Sequence, residues 1–327
     1  MARAKALAAT LERLAQVRAD PTAPESLSTL RGVLAGRSSH AAAQAASIIA
    51  GNEIDGLVPE LVAAFEHFLE DPIRRDPGCA AKAAIADALY RLNAPEVDVY
   101  QRGIRHVQLE PVYGGKQDTA VQLRGTCGLA LVRVHHPDYL IALAELLADR
   151  EAPARRIAAQ ALGYSENPAA QPLLRLKALL GDEEPQVLSE CLLALLAVAP
   201  DASLDFVAGF LDRRPPDIAE AAALALGGSR HKAALPLLRD WWERTFDVTL
   251  RRTALLAIAM LKSDEAIAYL VGHVGESAAQ HAAAAIEALA LYRHDPRLRA
   301  QVEAAVERRH DRALSATFRA AFVGKEA

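Results

Sequence analysis

Aromatic side chains are scarce in this sequence. Phe, Trp and Tyr make up 5% of its 327 residues, and only two of these are tryptophan. A deep ligand pocket lined by aromatic rings is therefore not expected. The chain is nevertheless 52% hydrophobic, mostly through small and aliphatic residues, which is typical of closely packed helices.

Cysteine is equally rare. Cys79, Cys127 and Cys191 lie far apart, and none belongs to a Cys-x-x-Cys pair. This spacing argues against a cysteine-based metal site and favours small buried side chains in a reducing compartment. No cofactor is expected.

Long apolar runs and strong net charge are also missing. The first residues carry an apolar stripe at helical spacing, Leu7, Leu11, Leu14 and Val17, which is not the core of a signal peptide. The net charge of −4 creates no global field that attracts nucleic acid. We therefore expect a cytoplasmic protein without a membrane partner, and nucleic acid is an unfavoured ligand.

An internal repeat is present instead. The pattern Ala-Ala-x-Pro-Leu-Leu-Arg occurs at residues 169–175 and again at 233–239, an offset of two periods of 32. Ala-rich helical segments alternate with these Pro-containing segments. A fixed period of this length predicts stacked helix pairs, because one pair cannot bury its apolar face alone.

The repeat predicts an all-α fold, a right-handed α-solenoid forming a single domain over residues 1–327. Leu162, Leu195, Leu226 and Leu256 are expected to be buried between stacked helices. A capping helix is expected near 311–323. The nine predicted pairs are 3–36, 38–70, 78–109, 119–148, 152–181, 184–212, 215–244, 247–274 and 277–309.

Residues 147–182 resemble a HEAT-like repeat of the phycobilisome-lyase type, a likeness that extends over most of residues 38–309. Asp149, Arg155, the Ala-Leu-Gly at 161–163 and Pro172 fit that unit, whereas Leu188 and Ala219 stand where it has arginine. The resemblance implies a solenoid fold and leaves function open, since such repeats serve many roles. One role it implies is a bilin-lyase-like or chaperone-like accessory protein, for which a tetrapyrrole would be a partner.

Two other helical-repeat classes were compared residue by residue. Deoxyhypusine hydroxylases hold iron with His-Glu dipeptides, and none of the ten histidines here is followed by Glu. DNA glycosylases of this class need basic and aromatic residues on one face, and only Trp241 and Trp242 with Arg239 and Arg244 suggest such a cluster. Adjacent tryptophans on a helix favour one ring in the core and one partly exposed.

The segment Glu-Pro-Val-Tyr-Gly-Gly-Lys-Gln-Asp-Thr-Ala at 110–120 breaks the repeat. We expect an insertion loop over 110–118, with Pro111 ending a helix near Glu110 and Gly114-Gly115 allowing a tight reversal. Thr119 is expected to cap the next helix, with Gln122 completing a capping box.

This loop is the candidate binding element, since insertions in solenoids often lie on the binding face. The candidate partner-binding residues are Tyr113, Lys116, Asp118, Arg105, Arg124 and Trp241. Arg105, His106, Lys116 and Arg124 could also form a small anion pocket. The alternative is a tolerated insertion whose Tyr113 packs on the adjacent repeat.

The sequence thus favours a non-enzymatic scaffold or adaptor. It would bind a protein partner on a concave face lined by the second helices and on the 110–118 loop. No catalytic residue is predicted.

Overall fold

The computed structural model describes residues 2–323, with side chains from Leu7 onward. The chain divides into two compact units, residues 1–165 and 166–327. None of the helices in the described range combines the length and hydrophobicity that a membrane span requires.

Unit 1 contains ten helices and one β-hairpin among its described residues. Its helices are α1 Ala2–Val17, α2 Pro24–Leu34, α3 Ser39–Gly51, α4 Val58–Leu69, the short α5 Pro72–Arg75, α6 Ala80–Arg91, α7 Val97–Ile104, α8 Val121–Arg133, α9 Tyr139–Leu147 and α10 Ala152–Tyr164. The hairpin consists of β1 Leu109–Val112 and β2 Gly115–Asp118, between α7 and α8.

Unit 2 contains ten further α-helices among its described residues. They are α11 Gln171–Leu180, α12 Pro185–Val198, α13 Pro200–Ala208, α14 Pro216–Gly228, α15 Ala234–Arg244, α16 Val248–Met260, α17 Asp264–Glu276, α18 Ala279–Leu289, α19 Pro296–Glu307 and α20 Arg312–Phe318. A π-helical turn, Arg319–Val323, continues α20.

Helices lie at the positions predicted for the nine pairs and for the terminal helix, and within each unit the predicted all-α stacking of repeats is confirmed. Three details were wrong. Helix α7 ends at Ile104 rather than near Glu110, and the insertion is a hairpin rather than a loop. Thr119 does not cap α8, because the N-cap position falls on Ala120, without a side-chain hydrogen bond.

Within each unit, first helices of successive pairs pack on one another. In unit 1 this row runs through α3, α6, α8 and α10, and in unit 2 through α12, α14, α16, α18 and α20. Small residues permit the close approach. A Cβ added to Gly227 of α14 would lie 2.3 Å from the carbonyl oxygen of Ala257 on α16, so a larger side chain would force the two backbones apart.

The core follows the repeat register with one exception. Leu162, Leu195 and Leu226 are fully buried, as expected. Leu256 is only partly buried; the equivalent core position is Ile258, thirty-two residues after Leu226.

The three cysteines are buried, and none forms a disulfide. Burial raises the pKa of Cys79 and of Cys191 to about 12. The thiols are therefore protonated and inert, which fits the predicted role of small apolar side chains.

Candidate functional site: an anchored hairpin

The 109–118 hairpin is antiparallel and closes through a two-residue turn. Leu109 pairs with Asp118 and Val112 with Gly115, which leaves Tyr113 and Gly114 in the turn. Gly114 has φ +88°, as the third position of a type II turn requires. The Tyr-Gly sequence thus sets the reversal, and Gly115 does not need positive φ.

A buried arginine fixes the second strand to the helices. The Arg124 guanidinium, on α8, lies 2.7 Å from Asp118 Oδ2, and its Nε donates to Asp149 Oδ2 at 2.8 Å. It also donates to the backbone oxygen of His106 at 2.9 Å. The side chains of Arg124 and Asp118 are only 2% and 5% exposed, so this network is shielded from solvent.

A half-buried carboxylate fixes the first strand. Glu110 Oε1 accepts hydrogen bonds from Gly78 N at 2.6 Å, from Gln108 Nε2 at 2.6 Å and from Thr119 Oγ1 at 2.9 Å. These donors lie in the segment before α6, in the residue before β1 and in the residue after β2. One acceptor therefore ties together three backbone segments.

Beneath Glu110 lies a fully buried ion pair. Lys82 Nζ is 2.8 Å from Asp76 Oδ2, and both side chains are 0% exposed. Asp76 also accepts from the backbone N–H groups of Ala81 and Lys82, and its backbone oxygen accepts from Gln108 Nε2 at 2.8 Å. The hairpin base is thus continuous with a buried polar network.

Hydrogen bonding sets the charge of the two hairpin carboxylates. Desolvation opposes their ionisation, but the pKa of Asp118 is lowered overall by the N–H groups of Ala120 and Gln108 and by Arg124. The pKa of Glu110 is likewise lowered, against desolvation, by its three donors. Both carboxylates are therefore charged at neutral pH and hold the base closed.

The hairpin inverts the usual burial of polar and apolar residues. Gln108 is 1% exposed, whereas its neighbours Val107 and Leu109 are 55% and 45% exposed. Val112 is 46% exposed, and Tyr113 at the turn is fully exposed. We call Val107, Leu109, Val112 and Tyr113 the exposed hairpin set. Folding alone does not explain this arrangement, since it leaves apolar surface in water.

The structure separates the predicted site residues into two groups. Tyr113 and Lys116 are exposed on the hairpin, and Lys116 has no ion-pair or hydrogen-bond partner among residues 2–323. Arg105 is also exposed and pairs with Glu145 at 3.3 Å. Asp118 and Arg124, in contrast, are buried in the base and face each other.

The anticipated anion pocket is not formed. Arg124 is neutralised by Asp118 and Asp149 and has no free face for an external anion. Burial lowers the pKa of His106, so this residue adds no charge. Of the four residues expected in the pocket, only Arg105 and Lys116 present a charge to solvent.

Trp241 lies on α15 in unit 2 and is 2% exposed, so its ring belongs to the core. Trp242 is the partly exposed ring. The basic residues nearby are also engaged: Arg244 pairs with Asp212 and Asp240, and Arg239 lies over the Tyr269 ring at 4.5 Å. This arrangement does not present a free aromatic and basic platform to nucleic acid.

Sequence reasoning missed the strands and the buried network. The missed signal was the alternation of apolar and polar residues from Val107 to Glu110, two residues before the Tyr-Gly-Gly at 113–115. A period of two before a glycine-containing turn is typical of a hairpin. No local signal marked Asp76 and Lys82 as a buried pair, since their contact depends on the packing of α6.

Residues 206–290 match the family model for HEAT repeats. This range covers the helices from α14 to α18 and falls within the stacked pairs of unit 2. Residues 206–290 therefore carry HEAT repeats. The HEAT-repeat resemblance inferred from the sequence is confirmed for this range, and HEAT repeats are typical of protein-interaction scaffolds.

Solved structures give more distant likenesses. The complex of CpcE and CpcF of phycocyanin lyase from Nostoc sp. PCC7120 shares 18% identity, covering 74% of this chain and 92% of that chain, with a TM-score of 0.39. Human deoxyhypusine hydroxylase in complex with glycerol shares 18% identity, covering 89% and 99%, with a TM-score of 0.26. Likenesses this distant carry no argument about function. No curated protein matches the sequence.

Within residues 2–323, no group of three or more His, Cys, Asp or Glu side chains is placed to hold a metal ion.

Proposed function

We propose that this HEAT-repeat protein is a non-enzymatic scaffold or adaptor that binds a protein partner through its hairpin. The inverted burial of the hairpin carries the proposal. Gln108, Glu110 and Asp118 are hydrogen-bonded at the hairpin base, while Leu109, Val112 and Tyr113 face solvent. Exposed apolar residues on a rigid support are typical of protein interfaces.

The anchored base supports the same conclusion. Ordering a flexible loop on binding costs conformational free energy, which lowers affinity. The contacts of Glu110 and Asp118 hold the hairpin in place before any partner arrives. The exposed hairpin set can therefore contact a partner with little further ordering.

The two strand edges are poorly suited to pairing with a partner strand. Pro111 lies opposite Lys116 in the register and has no N–H to donate. Proline and lysine on edge strands discourage strand addition. We infer recognition through side chains: Leu109 and Tyr113 in an apolar depression of the partner, with an acidic group near Lys116. The concave face expected from the repeat stays a prediction.

The test compares partner recovery with folding. A Leu109→Thr, Tyr113→Ser double variant keeps strand and turn propensity and removes two apolar side chains. We expect affinity capture from native cells, quantified by mass spectrometry, to recover at least tenfold less of the specific partner, because one exposed aromatic anchor can contribute 2 kcal/mol or more, about thirtyfold. The melting temperature should be nearly unchanged.

Leu291→Ser is the matched control. Leu291 is 55% exposed in unit 2, so the variant removes similar exposed surface outside the hairpin. Its partner recovery should equal that of the wild type. Equal recovery by the double variant would exclude the hairpin as the binding element, and a large fall in its melting temperature would show that the exposed set serves folding.

A further inference from the structure

A second candidate site lies in unit 2, between helices α16 and α18. A cavity of about 190 Å³ opens there, with Leu255, Ala283 and Ala284 among its apolar lining residues. Phe246 and Val248, at the start of α16, line its mouth and are 86% and 66% exposed. The cavity thus offers an apolar wall that is open to solvent among the described residues of this unit.

Arg251 lines the same cavity and is held in position by the chain. Its Nε donates to the backbone oxygen of Thr245 at 2.5 Å, and its Nη1 lies 3.0 Å from His281 Nε2. The guanidinium carbon is 5.2 Å from the Trp242 ring centroid and 5.7 Å from that of Phe246. These contacts orient the cation without neutralising it, since rings and neutral acceptors leave its charge in place.

The charge balance of the cavity leaves Arg251 unpaired. Glu287 is the acidic residue of the lining, and its Oε2 lies 2.5 Å from Arg252 Nη2. Among residues 2–323 no carboxylate lies within ion-pair distance of Arg251. His281 contributes no charge at neutral pH, because burial, and then Arg251, lower its pKa. One net positive charge therefore faces an apolar cavity.

We propose that this cavity binds a monoanionic carboxylate that carries an apolar group. The planar guanidinium of Arg251 matches a carboxylate in shape and donates two parallel hydrogen bonds. The apolar group would lie against Leu255, Ala283 and Phe246. A phosphate dianion fits less well, because its second charge has no second free cation here.

The N-terminus of α18 also favours a negatively charged ligand. Gln280 and His281 of its first turn line the cavity, and the N-cap residue, Ala278, has no side chain that can accept from the free N–H groups. The positive end of the helix dipole thus adds to the attraction of Arg251 for an anion. The ligand could be a small organic acid or the free C-terminus of a peptide, which share this chemistry.

Isothermal titration calorimetry tests the proposal with defined probes. 3-Phenylpropionate should bind the full chain, and 3-phenylpropionamide, which lacks the charge, should bind at least tenfold more weakly. A second arm uses acetyl-Ala-Ala-Phe with a free or an amidated C-terminus. Binding of the small acid alone indicates an organic acid, and binding of the peptide acid alone indicates a chain terminus. Equal binding of acids and amides, or no binding of either acid, would overturn the proposal.

Variants locate the site. Arg251→Met should weaken binding of the acid probe at least tenfold, as loss of a charge-assisted hydrogen bond predicts. Arg244→Met removes an equal charge outside the cavity and should leave binding unchanged. Ala284→Leu fills the cavity while keeping Arg251, so it tests the site even if Arg251→Met folds poorly. Wild-type affinity in Ala284→Leu, or equal losses in Arg251→Met and Arg244→Met, would refute the assignment.

Discussion

Removing the cation at the hairpin base gives the sharpest test of the anchor. In Arg124→Met the aliphatic stem is kept and the guanidinium is lost, so Asp118 and Asp149 lose their shared partner. The two side chains are 5% and 14% exposed, so water cannot replace the guanidinium fully. Breaking a buried ion pair in this way costs about 3–5 kcal/mol.

The matched control is Arg102→Met on α7. Arg102 pairs with Glu66, and these side chains are 52% and 40% exposed, so solvent screens the interaction. An exposed pair contributes about 0.2–1 kcal/mol. The same chemical change is thus expected to have effects that differ severalfold according to burial alone.

Native-state hydrogen exchange, read by mass spectrometry on peptides covering 105–120, measures both variants. Arg124→Met should speed exchange of the hairpin amides strongly, and Arg102→Met should not. Adding Asp118→Asn to Arg124→Met should restore part of the protection, because one uncompensated charge is removed. Similar exchange in the two single variants would show that the network does not hold the hairpin.

Three further predictions concern packing and pH. Gly227→Ala should destabilise unit 2 by about 1–3 kcal/mol, because the added methyl group overpacks the contact between α14 and α16. Gly272→Ala, which has open space around it, should stabilise unit 2 by up to about 1 kcal/mol through helix propensity. Urea denaturation followed by tryptophan fluorescence measures both changes in stability, and changes of the same sign would refute the close approach of the two helices. Leu226→Ala should cost about 2–5 kcal/mol, and the partly exposed Leu256→Ala clearly less in the same assay, so equal losses would contradict the register. The folded-state pKa of Asp118 lies below its unfolded value of about 3.9. The stabilisation from this carboxylate is therefore present above that pH and is lost as the pH falls through the folded pKa. Hydrogen exchange of the hairpin amides between pH 5 and 3, corrected for intrinsic rates, should show this loss in the wild type and a smaller loss in Asp118→Asn.

The repeat could be predicted from sequence because its cause is local. Spacing of small and apolar residues fixes which helix face is buried, and proline fixes where second helices begin, as in α11. The register failed at α16, where Leu255 and Leu256 both fit an apolar stripe and only packing shows which is buried. Periodicity cannot choose between adjacent leucines.

The sequence predicted where the candidate site lies, but not the buried contacts that hold it in place. The break in the repeat located the hairpin, and Tyr113 and Lys116 are exposed as that position suggested. The buried role of Arg124 was not predictable, since it depends on Asp149, twenty-five residues away and brought close by stacking of α8 and α10. A side chain that looks like a surface cation in sequence is here a structural one.

The anchored hairpin has a consequence for how this protein can change. The residues that close the base, Gln108, Glu110, Asp118 and Thr119, lie outside the turn, and the positions from 111 to 116 make none of the base contacts described above. The tip sequence is therefore decoupled from the stability of the scaffold. Substitutions in the tip can change which partner is recognised without destabilising the fold. A foreign recognition sequence inserted between Glu110 and Gln117 would be held in place by the existing contacts of the hairpin base.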